Sequence, residues 1–134
     1  MKELTYLNLQ DIITLNEVIL KHYPDEPTGL AKDKSLEATL NRITNHVHYN
    51  GVTGIFDIAA LYAECLACQQ CFNSANKRTA LGSMIIFLLL NEMELNVQND
   101  RASDMIVLLA NGLVTTKELS LWLKFHCSYK PEEE

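Results

Sequence analysis

The sequence predicts an all-α protein, a compact bundle of about six helices around a buried central one. Three observations predict it. Apolar residues recur at three- and four-residue intervals through successive stretches. The breaks between stretches carry helix caps, proline or glycine. No alternating strand pattern stands out, apart from a short extended piece at Leu4-Thr5-Tyr6.

Taken in order, Asn8 caps a first helix whose Leu9, Ile12, Ile13, Asn16, Ile19 and Leu20 follow at helical spacing. It stops before the loop Pro24-Asp25-Glu26-Pro27-Thr28-Gly29. A second helix starts near Lys34 or Ser35, carries Leu36, Leu40, Ile43 and Val47 on one face, and breaks at Asn50-Gly51. The third starts near Ile55 and ends near Gln69 or Gln70; Phe56, Ala59, Ala60, Tyr62, Ala63 and Leu66 give it a broad face rich in small residues. The fourth spans Ala75 to Asn91 and is apolar nearly all round after Leu81, the pattern of a central buried helix. Asp100 or Ser103 opens a fifth, ended by Asn111-Gly112. Thr115-Thr116-Lys117-Glu118 resembles a capping box for a sixth, through Leu119, Trp122, Leu123 and Phe125.

Length and composition fit one domain over residues 1–134, with 130–134 as a solvated tail. The chain is 48% apolar and 21% charged, with a net charge of −6. That acidity argues against direct nucleic-acid binding, which relies on cations neutralising phosphates. No signal peptide is visible, and the longest apolar run, Met84 to Leu90, is too short to span a membrane. Three of the four cysteines crowd into one segment, unlike a secreted disulfide framework. The reading is a cytoplasmic protein with reduced thiols.

Cys65-x-x-Cys68-x-x-Cys71 has the spacing of a metal or iron–sulfur run. Helical geometry opposes it. Cys65 and Cys71 would stand roughly 9 Å apart along a helix axis, whereas ligands of one metal converge within about 4 Å. Cys65 and Cys68 therefore read as small buried hydrophobes, with no structural metal expected. Cys71 lies at the loop, where a helix N-terminus and two cations would lower a thiol's pKa.

The stretch from Phe72 to Thr79 runs from a loop into the start of the fourth helix. Free backbone N–H groups and the positive end of the helix dipole make such a place an anion site. Lys77 and Arg78 add cations to the first turn. There they oppose the dipole, and an anion in front of the helix would offset that cost. Asn76 caps or holds the loop, and Phe72 plugs the core and fixes the loop's path.

Phe72-Asn73-x-Ala75-Asn76-Lys77-Arg78-Thr79 resembles the signature loop of the Fic/Doc superfamily, His-x-Phe-x-(Asp/Glu)-(Gly/Ala)-Asn-(Gly/Lys)-Arg. The lysine after the asparagine is the form of the Doc ("death on curing") toxins of Phd–Doc toxin–antitoxin modules, which serve prophage or plasmid maintenance. The resemblance extends over Gly29-Leu30, Leu36-Glu37, Leu40 and Arg42, over Thr79 to Asn91, and over Gly112, Glu118-Leu119 and Trp122-Leu123. It implies a Fic/Doc-like bundle, ATP and magnesium as cofactors, elongation factor Tu as the phosphorylated target and a Phd-like antitoxin as partner. By resemblance, Asn76, Lys77 and Arg78 bind phosphate, while Phe72 and Asn73 anchor the loop.

Two positions depart from the family. Gln70 stands where the family has its catalytic histidine, and Ser74 where it has the acidic magnesium ligand. Glutamine cannot serve as a general base, and loss of a positioned base costs about 10²- to 10⁴-fold in rate. Serine brings an oxygen without a charge. Phosphoryl transfer depends on positioning more than on a strong base, so some activity is compatible with these changes. The expectation is a Doc-like protein that keeps its phosphate loop with weak or absent phosphotransfer. The alternative is a non-catalytic Fic/Doc-fold protein that binds an antitoxin, a nucleotide or a target protein. A metal or redox sensor built on the cysteine run ranks last. Of the histidines, His46 and His48 fall late in the second helix and read as partly exposed rather than catalytic.

Overall fold

The computed structural model describes residues 3–130; the readings at Met1-Lys2 and at 131–134 of the tail lie outside the described residues. The fold is predominantly α-helical. Its helices are α1 (Leu9–Leu20), α2 (Leu36–Tyr49), α3 (Ile55–Gln69), α4 (Asn76–Leu90), α5 (Asn99–Ala110) and α6 (Thr116–His126). Local chemistry sets most of their ends. Asn8 accepts from the Asp11 N–H while the Asp11 carboxylate accepts from the Asn8 N–H, both at 2.8 Å, closing a capping box on α1. Thr115 and Glu118 close another on α6, and Ser35 caps α2 by accepting from the Ala38 N–H at 3.1 Å. The fifth helix departs from expectation. It opens at Asn99 after Gln98, which makes no side-chain cap bond, and the Asp100 carboxylate accepts from the N–H of Arg101 instead.

The buried centre is α3 rather than the α4 that the apolar run suggested. Ile58 to Ala63 and Cys65 to Ala67 are all buried, and α3 packs on α2, α4, α5 and α6. Its alanines let neighbours approach from several sides, whereas α4 turns Leu89 and Leu90 outward. Among the described residues, no helix is long and apolar enough to cross a membrane.

Two short strands were not expected. β1 (Met93–Leu95) and β2 (Cys127–Tyr129) pair antiparallel, with Met93 opposite Tyr129 and Leu95 opposite Cys127. The expected extended piece at Leu4-Thr5-Tyr6 forms no strand. A side-chain amide takes the place of a neighbouring strand: Asn91 accepts from the Thr5 N–H at 2.7 Å and donates to the Thr5 carbonyl at 2.9 Å.

Two residues on, Leu7 is pinned in the same manner. The Tyr62 hydroxyl accepts from the Leu7 N–H at 2.9 Å and donates to the Leu7 carbonyl at 3.2 Å. Burial pushes the Tyr62 phenol up to about 12, so it stays a donor across the working pH range. Tyr62→Phe leaves both Leu7 groups buried without this partner. It is expected to cost about 1–3 kcal/mol in urea denaturation, the penalty for an unsatisfied buried group.

Candidate functional site

The loop between α3 and α4 owes its path to two left-handed residues. Gln70 ends α3 at φ 50° and ψ 54°, and Ala75 precedes α4 at φ 63°. Between them Cys71 and Phe72 turn into the core. The backbone from Cys71 to Asn73 lies against Gly29 to Ala31: the Ala31 N–H donates to the Cys71 carbonyl at 2.8 Å, and the Asn73 N–H to the Gly29 carbonyl at 3.0 Å. Gly29 sits at φ 87°, where only glycine is relaxed. The Asn73 side chain adds a bond to the Thr28 carbonyl at 2.8 Å.

Asn76 clamps the loop. Its side chain accepts from the Phe72 N–H at 3.0 Å and donates to the Phe72 carbonyl at 2.9 Å. Asn16, a buried polar residue of α1, donates to the Ser74 carbonyl and to the Thr79 hydroxyl, both at 3.1 Å. It joins the loop to α4 across the core. Asn76→Ala removes both bonds to Phe72 and is expected to cost about 1–3 kcal/mol. Faster amide exchange at Phe72 would localise the change to the loop.

The result is a helix N-terminus left open. Ala75 offers α4 no side-chain cap, and the first turn holds no acidic residue. Gln70, Asn76, Lys77 and Arg78 line one hollow of about 360 Å³ with Ala67 and Ala75. Lys77 and Gln70 are exposed there. The predicted base position and the predicted phosphate-binding residues are therefore neighbours.

Ser74 and Arg78 have a partner that the sequence did not reveal. The Glu26 carboxylate, from the loop between α1 and α2, accepts from Arg78 Nη2 at 2.6 Å and from the Ser74 hydroxyl, both on Oε1. The Arg78 guanidinium also lies 3.8 Å over the Tyr23 ring. Hydrogen bonds from Ser74 and then Arg78 hold the Glu26 carboxyl below its usual range. Arg78 is thus not a free cation but one already matched to a carboxylate. The available signal was physical: two bases in a helix's first turn call for a nearby negative charge, and Glu26 supplies it from the chain itself.

The cysteines divide otherwise than expected. Cys65 is buried, and burial pushes its thiol up to about 11. Cys68 is exposed instead of packed. Cys71 is buried, with its sulfur 3.2 Å from the Thr39 hydroxyl, and so faces the core rather than the cations of α4. Among the described residues, no group of three or more His, Cys, Asp or Glu is placed to hold a metal. His46 is half-buried against Asn50 at 2.9 Å, and it lines a separate hollow with Asp57 and Lys117.

The Fic/DOC family model matches residues 6–88, from just before α1 through most of α4. This chain belongs to the Fic/DOC family. It is 28% identical over 115 residues to "Protein kinase doc" of Escherichia phage P1, covering 86% of this chain and 90% of that relative. The region matched to the Fic/DOC model includes the whole signature-like loop together with Asn16 and Glu26.

Proposed function

We propose that this Fic/DOC protein is the Doc-like member of a toxin–antitoxin type module. It binds the phosphates of ATP at the open end of α4 and transfers phosphate weakly or not at all. One observation carries the reading: Gln70, Asn76, Lys77 and Arg78 share a single hollow at an uncapped helix N-terminus. The likeness to the protein kinase of phage P1 supports ATP as the donor. The helix amides and Lys77 would hold phosphate oxygens, with Arg78 joining as its bond to Glu26 rearranges. A hydroxyl of a translation factor, with elongation factor Tu as the target, would lie near Gln70. The amide of Gln70 can orient that hydroxyl but cannot take its proton. Bound magnesium would neutralise charge on the transferred phosphate. Ser74 alone is a poor partner for it, because magnesium favours carboxylate and phosphate oxygens. A Phd-like antitoxin would be the natural partner of such a chain.

The second reading is a non-catalytic protein on the same fold, which binds nucleotide, antitoxin or target without chemistry. Gln70 at the base position favours it. Expression without an antitoxin, combined with calorimetric titration of ATP into the wild type and Lys77→Ala, tests both. Normal growth with ATP binding that weakens in Lys77→Ala is the expected result. Growth arrest would overturn the loss of catalysis, and absence of any ATP binding would remove the nucleotide site.

A further inference from the structure

We infer that Glu26 is the acidic, divalent-cation-binding residue of this site, supplied from the α1–α2 loop in place of the carboxylate that position 74 lacks. The inference rests on reading the loop before α4 as a nucleotide phosphate site.

The placement argues for it. Ser74 Oγ touches Glu26 Oε1, so the carboxylate begins where the short serine side chain ends. That is the region a longer acidic side chain on residue 74 would fill. Glu26 is also held there by its own segment. Its N–H donates to the Tyr23 carbonyl at 3.0 Å. Further along, Gly29, Ala31 and Thr28 are tied to Cys71 and Asn73 of the phosphate loop. The two loops form one hydrogen-bonded unit, and the carboxylate belongs to it.

The donor set suits a magnesium ion that is shared with phosphates. Both hydrogen bonds to the Glu26 carboxylate fall on Oε1, and among the described residues Oε2 accepts none. One carboxylate with a neighbouring hydroxyl is no metal cage. Magnesium in phosphate-transfer sites keeps several waters and takes one or two carboxylates plus the substrate's phosphates. Such a site needs no cluster of three protein ligands. Arg78, beside the same carboxylate, is placed to reach the same phosphates.

Calorimetric titration of ATP with and without magnesium tests the assignment, using the wild type, Glu26→Gln and Glu26→Gln/Ser74→Asp. Magnesium is expected to strengthen wild-type binding. Glu26→Gln should lose that gain by at least the roughly 10–100-fold that removal of a merely supporting residue costs a metal site. Its magnesium-free binding should persist or tighten, since Arg78 is released. Moving the carboxylate back into the loop with Glu26→Gln/Ser74→Asp should restore the magnesium gain, an outcome a misfolded variant could not produce. If Glu26→Gln keeps the gain and binds ATP more tightly under both conditions, Glu26 only occupies Arg78 and the inference falls. Wild-type binding indifferent to magnesium overturns it too while leaving the ATP site standing. No wild-type binding under either condition overturns the ATP site and the inference together.

Discussion

Gln70→His is expected to raise phosphate transfer from ATP to elongation factor Tu by about 10²- to 10⁴-fold over the wild type. Several features of the site favour the substitution. Gln70 is at positive φ, a conformation that histidine enters several-fold more readily than most residues. It is exposed, so the ring displaces no packed neighbour. It lines the same hollow as Asn76, Lys77 and Arg78, which puts an imidazole beside the proposed phosphate site. The neutral ring is the base, so activity should rise with pH through about 6.5, the ordinary histidine value. Radiolabel transfer from ATP across a pH series gives both readouts, and growth arrest on expression gives a third. A variant that binds ATP normally yet remains inert would place the defect elsewhere than at the base.

The same geometry changes how a full restoration should be built. Adding Ser74→Asp alone would set a second carboxylate against Glu26, and two carboxylates sharing a site resist joint ionisation. The productive combination removes one as it adds the other: Gln70→His with Ser74→Asp and Glu26→Gln.

Phe72→Ala is expected to destabilise the fold by about 3–5 kcal/mol, the usual cost of deleting a buried phenylalanine side chain. Phe72 is 4% exposed and belongs to the core cluster. Its backbone is the partner of Asn76 and bridges to Leu30. Loss of the ring therefore loosens the loop at its root, and both the urea midpoint and ATP affinity should fall. Unchanged stability would mean that the loop is held by its hydrogen bonds without the ring.

Several features of the fold and site were legible because their causes are local. Asn8, Ser35 and the Thr115–Glu118 pair cap helices through bonds that span three residues. The open start of α4 follows from adjacent residues, as does the role of Asn76, whose partner is four positions away. Phe72 was recognisable as the one large apolar residue in a polar loop.

The misses have the opposite cause. Three-residue strands carry no period long enough to read, and β1 finds its partner only when the chain returns at Cys127. An apolar run cannot say which of two helices has neighbours on more sides, so α4 looked central where α3 is. Cys68 follows Cys65 by less than one helical turn, yet it emerges on the exposed side. Asn16 reads as one more position on α1, although it bonds across the core to Ser74 and Thr79.

By itself the sequence determined the helices, their caps and a cationic loop at a helix N-terminus, because these depend on residues within a turn or two of one another. It also carries Gln70 and Ser74 at the positions where the resemblance to the family implies a base and a carboxylate. Only the tertiary structure decided where the negative charge of the site comes from. Glu26 meets Arg78 across 52 positions of sequence. Packing of α1 against α4, and pairing of residues 29–31 with the loop, bring its carboxylate there. No local pattern encodes that meeting; it exists only once the core has closed.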